Sequence, residues 1–121
     1  MREAPTTVCG LPRNYLRPCL LLLIAESASH GYELLEQVNA LAVQPVDTGA
    51  VYRALRTMER EGLLVSSWQH AVSGPPRRIY ELTEDGAAWL SDCVEVVTHT
   101  QSTLAGFLDR YAALQASPKG P

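Results

Sequence analysis

A mainly α fold carrying one small β-hairpin is predicted by three observations on this 121-residue chain. Three short stretches with helical spacing come first, two stretches with alternating spacing follow, and one long helical stretch closes the sequence. With 46% apolar and 19% charged residues, that length builds one compact folding unit and leaves no room for a second independent core.

Each element has a local reason. Leu16 to Ser27 is apolar on most faces and tolerates Pro18 because a first-turn N–H has no helical partner, which predicts a buried first helix. Its run Leu20 to Ala25 follows Arg13 and Arg17, as in a secretory signal. Glu26 ends that run far short of the roughly 20 residues of a membrane span, so a core helix without membrane association is the better reading. Ser29 is placed as the cap of a second helix, with Leu34, Leu35 and Val38 on its apolar face, ending near Asn39 or Ala40. A short irregular stretch through Gln44 and Pro45 follows. Asp47 then N-caps a third helix reaching Glu61, with Gly62 just past its end. Leu64 to His70 and Arg78 to Leu82 alternate as strands, joined by a turn at Ser73, Gly74, Pro75 and Pro76. Thr83 caps a fourth helix that runs unbroken to about Leu114, with Glu84 and Asp85 complementing the dipole in its first turn.

Three helices followed by a hairpin is the order of a winged helix-turn-helix, in which the third helix enters the DNA major groove and the hairpin is the wing. The expected organisation is a mobile N-terminal leader (1–14), a winged-helix DNA-binding domain (15–82), a long C-terminal dimerisation helix (83–114) and a mobile tail (115–121). Net charge is −3, so a nucleic-acid partner must be met by a local basic patch. That patch exists. Residues 47–82 carry five arginines against four acids, whereas residues 83–114 carry one arginine against five.

On the third helix Val51, Leu55 and Met58 share one face, while Tyr52, Arg53, Arg56 and Arg60 share the other. The first face packs and the second reads DNA. Gly49 lets a phosphate approach the free N–H groups of the helix start, and Thr48 donates beside it. In the wing, Arg77 and Arg78 follow a tip stiffened by Gly74, Pro75 and Pro76, which suits guanidinium contacts to the backbone. The alternatives are a solvated helix face paired with Glu59 or Glu61, and a wing arginine bound to Glu81 or to a helix.

Along the fourth helix Leu90, Val94, Val97, Gln101, Leu104, Leu108 and Tyr111 alternate steps of four and three, the seam of a helix that packs lengthwise on another. A second copy is the expected partner, with Tyr15 and Leu16 closing the same interface. Two recognition helices would then meet a pseudo-palindromic operator. Cys9, Cys19 and Cys93 form no CxxC pair, which points to a reducing cytoplasmic setting, and the cysteines and histidines lack metal-ligand spacing. No catalytic motif is present, and no cofactor is expected.

Three segments carry a family resemblance: HGYELLEQV at 30–38, DTGAVYRALRTMEREGLL at 47–64 and GPPRRIYELTEDG at 74–86. The chain resembles the PadR-type transcriptional regulators over roughly residues 16–90, and within them the short repressors linked to polyhydroxybutyrate metabolism, through Arg53 and Trp68. The resemblance implies cytoplasmic homodimers with a recognition helix holding Gly49 and Tyr52, a wing holding Arg77 and Arg78, and a C-terminal dimerisation helix. Asp47 stands where many relatives have Ser or Thr, and Pro75 where many have Arg. Some relatives bind flat hydrophobic compounds through a tryptophan, which makes Trp89 and Cys93, one turn apart beside the seam, a candidate effector pocket. The reading is thus a sequence-specific DNA-binding repressor relieved by a small or polymeric effector. Its rival is a winged-helix module that binds a protein or polymer-granule surface without reading DNA.

Overall fold

The computed structural model describes residues 15–27, 29–41, 46–70 and 74–116. The leader 1–14, the end of the tail, Gln44, Pro45, Ser73 and Cys9 lie outside the described residues. The elements are α1 (Leu16–Glu26), β1 (Ser29–His30), α2 (Gly31–Leu41), α3 (Thr48–Arg60), β2 (Leu64–Gln69), β3 (Arg77–Leu82) and α4 (Glu84–Ala116). The described chain divides into two units, a winged helix ending at Asp92 and a helical unit from Cys93 onward, so the division falls within α4.

In the first unit, each helix buries the face that its spacing dictates. Cys19, Leu20, Leu21, Leu23 and Ile24 of α1 meet Leu34 and Val38 of α2 and Val51, Leu55 and Met58 of α3 in one core, closed by Leu63, Leu64 and Tyr80. A fully buried side chain of this size contributes about 1.5–3 kcal/mol. The ends of α3 follow their caps: the Asp47 carboxylate accepts from the Ala50 N–H at 3.0 Å, and Gly62 leaves the helix at φ 84°. A left-handed φ there favours glycine. At the start of α4 the Thr83 hydroxyl accepts from the Gly86 N–H and donates to the Gly62 carbonyl. Helix α4 runs two residues further than its spacing predicts, to Ala116.

The sheet departs from expectation at one point. Ser29 belongs to β1, whose two residues pair with β3 (Ser29 with Tyr80, His30 with Ile79), giving a three-stranded sheet in the order β1-β3-β2. Ser29 is therefore not the cap of α2. Its place is taken by one half of a capping box, in which Glu33, three residues into the helix, accepts from the His30 backbone N–H at 3.2 Å. A two-residue strand is too short to show a period in sequence. The hairpin forms where expected, each strand differing by one residue from its expected bound: His70 falls outside β2 and Arg77 joins β3, so that Leu64 stands opposite Leu82 and Gln69 opposite Arg77.

Candidate nucleic-acid interface

Helix α3 presents Thr48, Arg53, Arg56 and Arg60 to solvent along one side. The Arg53 guanidinium folds back over Gly49, where a Cβ would lie 2.9 Å from its Nη1, and stops 3.9 Å from the Asp47 carboxylate. Both partners are exposed, so this pairing is worth at most about 1 kcal/mol and yields readily to a phosphate. The same arginine offsets the Asp47 charge at the helix start. Arg56 is exposed, and its charge reaches the Tyr80 hydroxyl across the helix–sheet surface.

The acids toward the end of α3, Glu59 and Glu61, are engaged elsewhere. Glu61 pairs with Arg17 of α1 at 2.6 Å, and Glu59 accepts from the Ser66 hydroxyl at 2.6 Å. The alternative in which Glu59 or Glu61 neutralises the α3 arginines therefore does not occur. Tyr52 is shared between surface and core: it is half-buried, and its ring lies over Gly31, where a Cβ would come within 2.7 Å of it. Sequence spacing alone puts it wholly on the reading face.

Arg77 and Arg78 leave β3 toward opposite faces, as neighbours on a strand must. Arg78 lies over the Trp68 ring at 5.2 Å, donates from Nε to the Ser66 hydroxyl at 2.9 Å, and comes within 3.9 Å of Glu59. Arg77 lies over the Tyr32 ring at 5.2 Å and donates from Nη1 to the Tyr32 hydroxyl at 2.7 Å. Both remain exposed. Their partners include Glu59 of α3 and Tyr32 of α2, and not Glu81, so the alternative of a wing arginine resting on a helix holds in part for each.

Sequence reasoning passes over His30 and Tyr32 as parts of this surface. The His30 ring faces the Glu33 carboxylate through Nδ1 (3.1 Å) and the Gln69 side-chain oxygen through Nε2 (2.9 Å), and stacks on Tyr32 at 5.4 Å. The backbone and ring of His30, followed by the more distant Arg77 charge, hold the Glu33 carboxyl below its usual range. The only sequence signal is an aromatic residue left exposed beside a helix start.

Within the unit from Cys93 onward, Val94, Val97, Leu104, Leu108 and Tyr111 are exposed, as are Val96, Phe107 and Leu114, which the seam did not include. Tyr15, Leu16 and Leu90 pack partly against the winged-helix core, leaving only part of each for a partner. Trp89 packs there too, with the Arg17 guanidinium 5.5 Å over its ring. Cys93 is half-buried. Cys19 is buried, which pushes its thiol up, a hydrogen bond with Tyr15 opposing the shift. Among the described residues no cluster of His, Cys, Asp or Glu is arranged to hold a metal ion, and no helix is long and apolar enough to cross a membrane.

Residues 20–92 match the family described as the transcriptional regulator PadR-like family. A PadR-like transcriptional regulator from Bacillus cereus superposes with a TM-score of 0.71 at 26% identity, over 79% of this chain and 93% of its own. A PadR family transcription regulator from Clostridium difficile does so with a TM-score of 0.71 at 25% identity, over 78% and 99%. A conserved protein described as a potential transcription factor reaches 0.77 at 26% identity, over 95% and 99%. No curated protein is significantly similar in sequence.

Proposed function

The chain belongs to the PadR-like family of transcriptional regulators, a family of DNA-binding proteins and not of enzymes, and from that premise we propose that it acts as a homodimeric, sequence-specific repressor. The observation that carries this reading is the exposure of Arg53 and Arg56 on α3, Arg53 engaged only by a weak, exposed pairing with Asp47, while the neighbouring acids Glu59 and Glu61 are held by other elements. Exposed guanidinium groups on a helix that follows a cap at Asp47 are suited to base edges and phosphates. Arg77 and Arg78 then fix the wing on the backbone, with Thr48 and Gly49 at the helix start.

Dimerisation is proposed through the exposed apolar side chains of residues 94–114, which a second copy covers by lengthwise packing. Two copies present two recognition helices to half-sites about one helical turn apart. Relief of repression by a hydrophobic effector near Trp89 and Cys93 extends the proposal, on the strength of the family resemblance alone.

The test is binding to the duplex upstream of the chain's own gene at two salt concentrations. Affinity is expected to fall steeply with salt, and Arg53→Ala or Arg56→Ala to cost about 1–3 kcal/mol each. Affinity unmoved by salt and by both substitutions would favour the protein- or granule-surface module instead.

A further inference from the structure

The three residues 30–32 touch both strands of the wing. His30 Nε2 lies 2.9 Å from the Gln69 side-chain oxygen at the end of β2, and the Tyr32 hydroxyl accepts from Arg77 Nη1 at 2.7 Å at the start of β3. Gln69 and Arg77 are themselves cross-strand partners, the last pair before the wing tip. The His30 and Tyr32 rings are stacked with an interplanar angle of 21°, and the Arg77 guanidinium lies over the Tyr32 ring, so Tyr32 contacts both groups.

We propose that Tyr32 is a positioning residue of the nucleic-acid interface: it holds the Arg77 guanidinium in one orientation beside the wing tip, so that a phosphate meets a preorganised cation. The inference rests on the DNA-binding reading and adds to it a residue outside both the recognition helix and the wing. An unbraced arginine on an exposed strand end samples many rotamers and loses that freedom on binding a phosphate. A ring face and a hydroxyl on the same side chain remove much of that freedom beforehand. They do so without neutralising the charge, because a phenol is uncharged and a guanidinium keeps other N–H donors for the ligand. Arg78 is the contrasting case, since its bracing includes the Glu59 carboxylate, which competes with a phosphate.

The experiment uses the full chain and a short fluorescein-labelled duplex of mixed sequence, with affinity followed between about 50 and 200 mM NaCl. Arg77→Ala is expected to reduce the slope of log affinity against log salt by about 0.9 for each phosphate that Arg77 neutralises. Tyr32→Leu is expected to leave that slope unchanged, because Arg77 still neutralises its phosphate, and to weaken binding about 2- to 10-fold at every salt concentration, a loss that disappears when Arg77 is already alanine. Tyr32→Phe, which keeps the ring and loses the hydroxyl, is expected to show a smaller loss of affinity than Tyr32→Leu. In the proton NMR spectrum the Arg77 side-chain signals are expected upfield in the wild type and at ordinary positions in Tyr32→Leu, with the melting temperature unchanged.

Wild-type affinity in Tyr32→Leu, additive losses in the double variant, or no upfield shift in the wild type would overturn the proposal. Failure of the DNA-binding reading looks different: the wild type then shows no salt-dependent duplex binding, while the NMR signals still report the pairing.

Discussion

The winged-helix unit and the helix from Cys93 onward use the same apolar residue types to opposite effect. Leu20, Leu34, Val51 and Leu55 are fully buried in the first, whereas Val94, Leu104, Phe107, Leu108 and Leu114 of the second are between 37% and 68% exposed. The difference does not lie in composition. Helices α1, α2 and α3 each offer an apolar face to another within the unit, while the seam of residues 94–111 is spaced for a helical partner that a second copy of the chain would supply. An apolar face is satisfied by a complementary face, and among the described residues α1, α2 and α3 of the first unit supply one another's.

The largest effect expected from this contrast is on association. Leu104→Asp puts a charge into the proposed seam and is expected to convert a dimer into a monomer in light scattering; a persistent dimer would place the interface elsewhere. Next, Leu55→Ala is expected to lower stability by about 3 kcal/mol at any protein concentration, through the cavity it leaves. Leu108→Ala should instead give a loss of melting temperature that depends on concentration. Equal, concentration-independent losses would erase the distinction between the two regions.

Gly86 sharpens the comparison from inside α4. A Cβ there would lie 2.0 Å from the Leu63 carbonyl oxygen, a backbone atom with little room to retreat. Gly86→Ala is expected to cost about 2 kcal/mol in urea unfolding. At Gly106, in the second unit, a Cβ meets nothing within 4 Å, so Gly106→Ala should be neutral or slightly stabilising.

The smallest effect concerns pH. Because the folded Glu33 carboxyl is held below its ordinary range, its contribution is present in full above the unfolded value of about 4.3 and is lost as pH falls through the folded one. The stability gap between wild type and Glu33→Gln should therefore narrow below about pH 4. A gap that widens on acidification would mean that His30 does not hold the carboxylate.

Much of the winged helix is legible in sequence because its signals are local. Asp47 and Gly62 bound α3 through interactions spanning three or four residues, and the alternation of Leu64 to Gln69 is visible without knowing what it packs on. The reading face is legible only in part. Spacing sorts Arg53 and Arg56 correctly to the outside. It also places Tyr52 there, because a period of 3.6 residues has no knowledge that Gly31 leaves a hollow for a ring. The two-residue β1 and the partners of the wing arginines give no local pattern at all.

By itself the amino-acid order determined the kind and succession of the elements other than β1, the caps of α3 and α4, the arginine-rich segment and the seam of apolar residues toward the C-terminus. Tertiary structure alone decided that Glu61 goes to Arg17, 44 residues away, and that Arg77 goes to Tyr32, 45 residues away. Helix and strand periods are written in neighbours a few positions apart, whereas the choice among several exposed cations and acceptors is made only when packing of the core brings distant segments within reach.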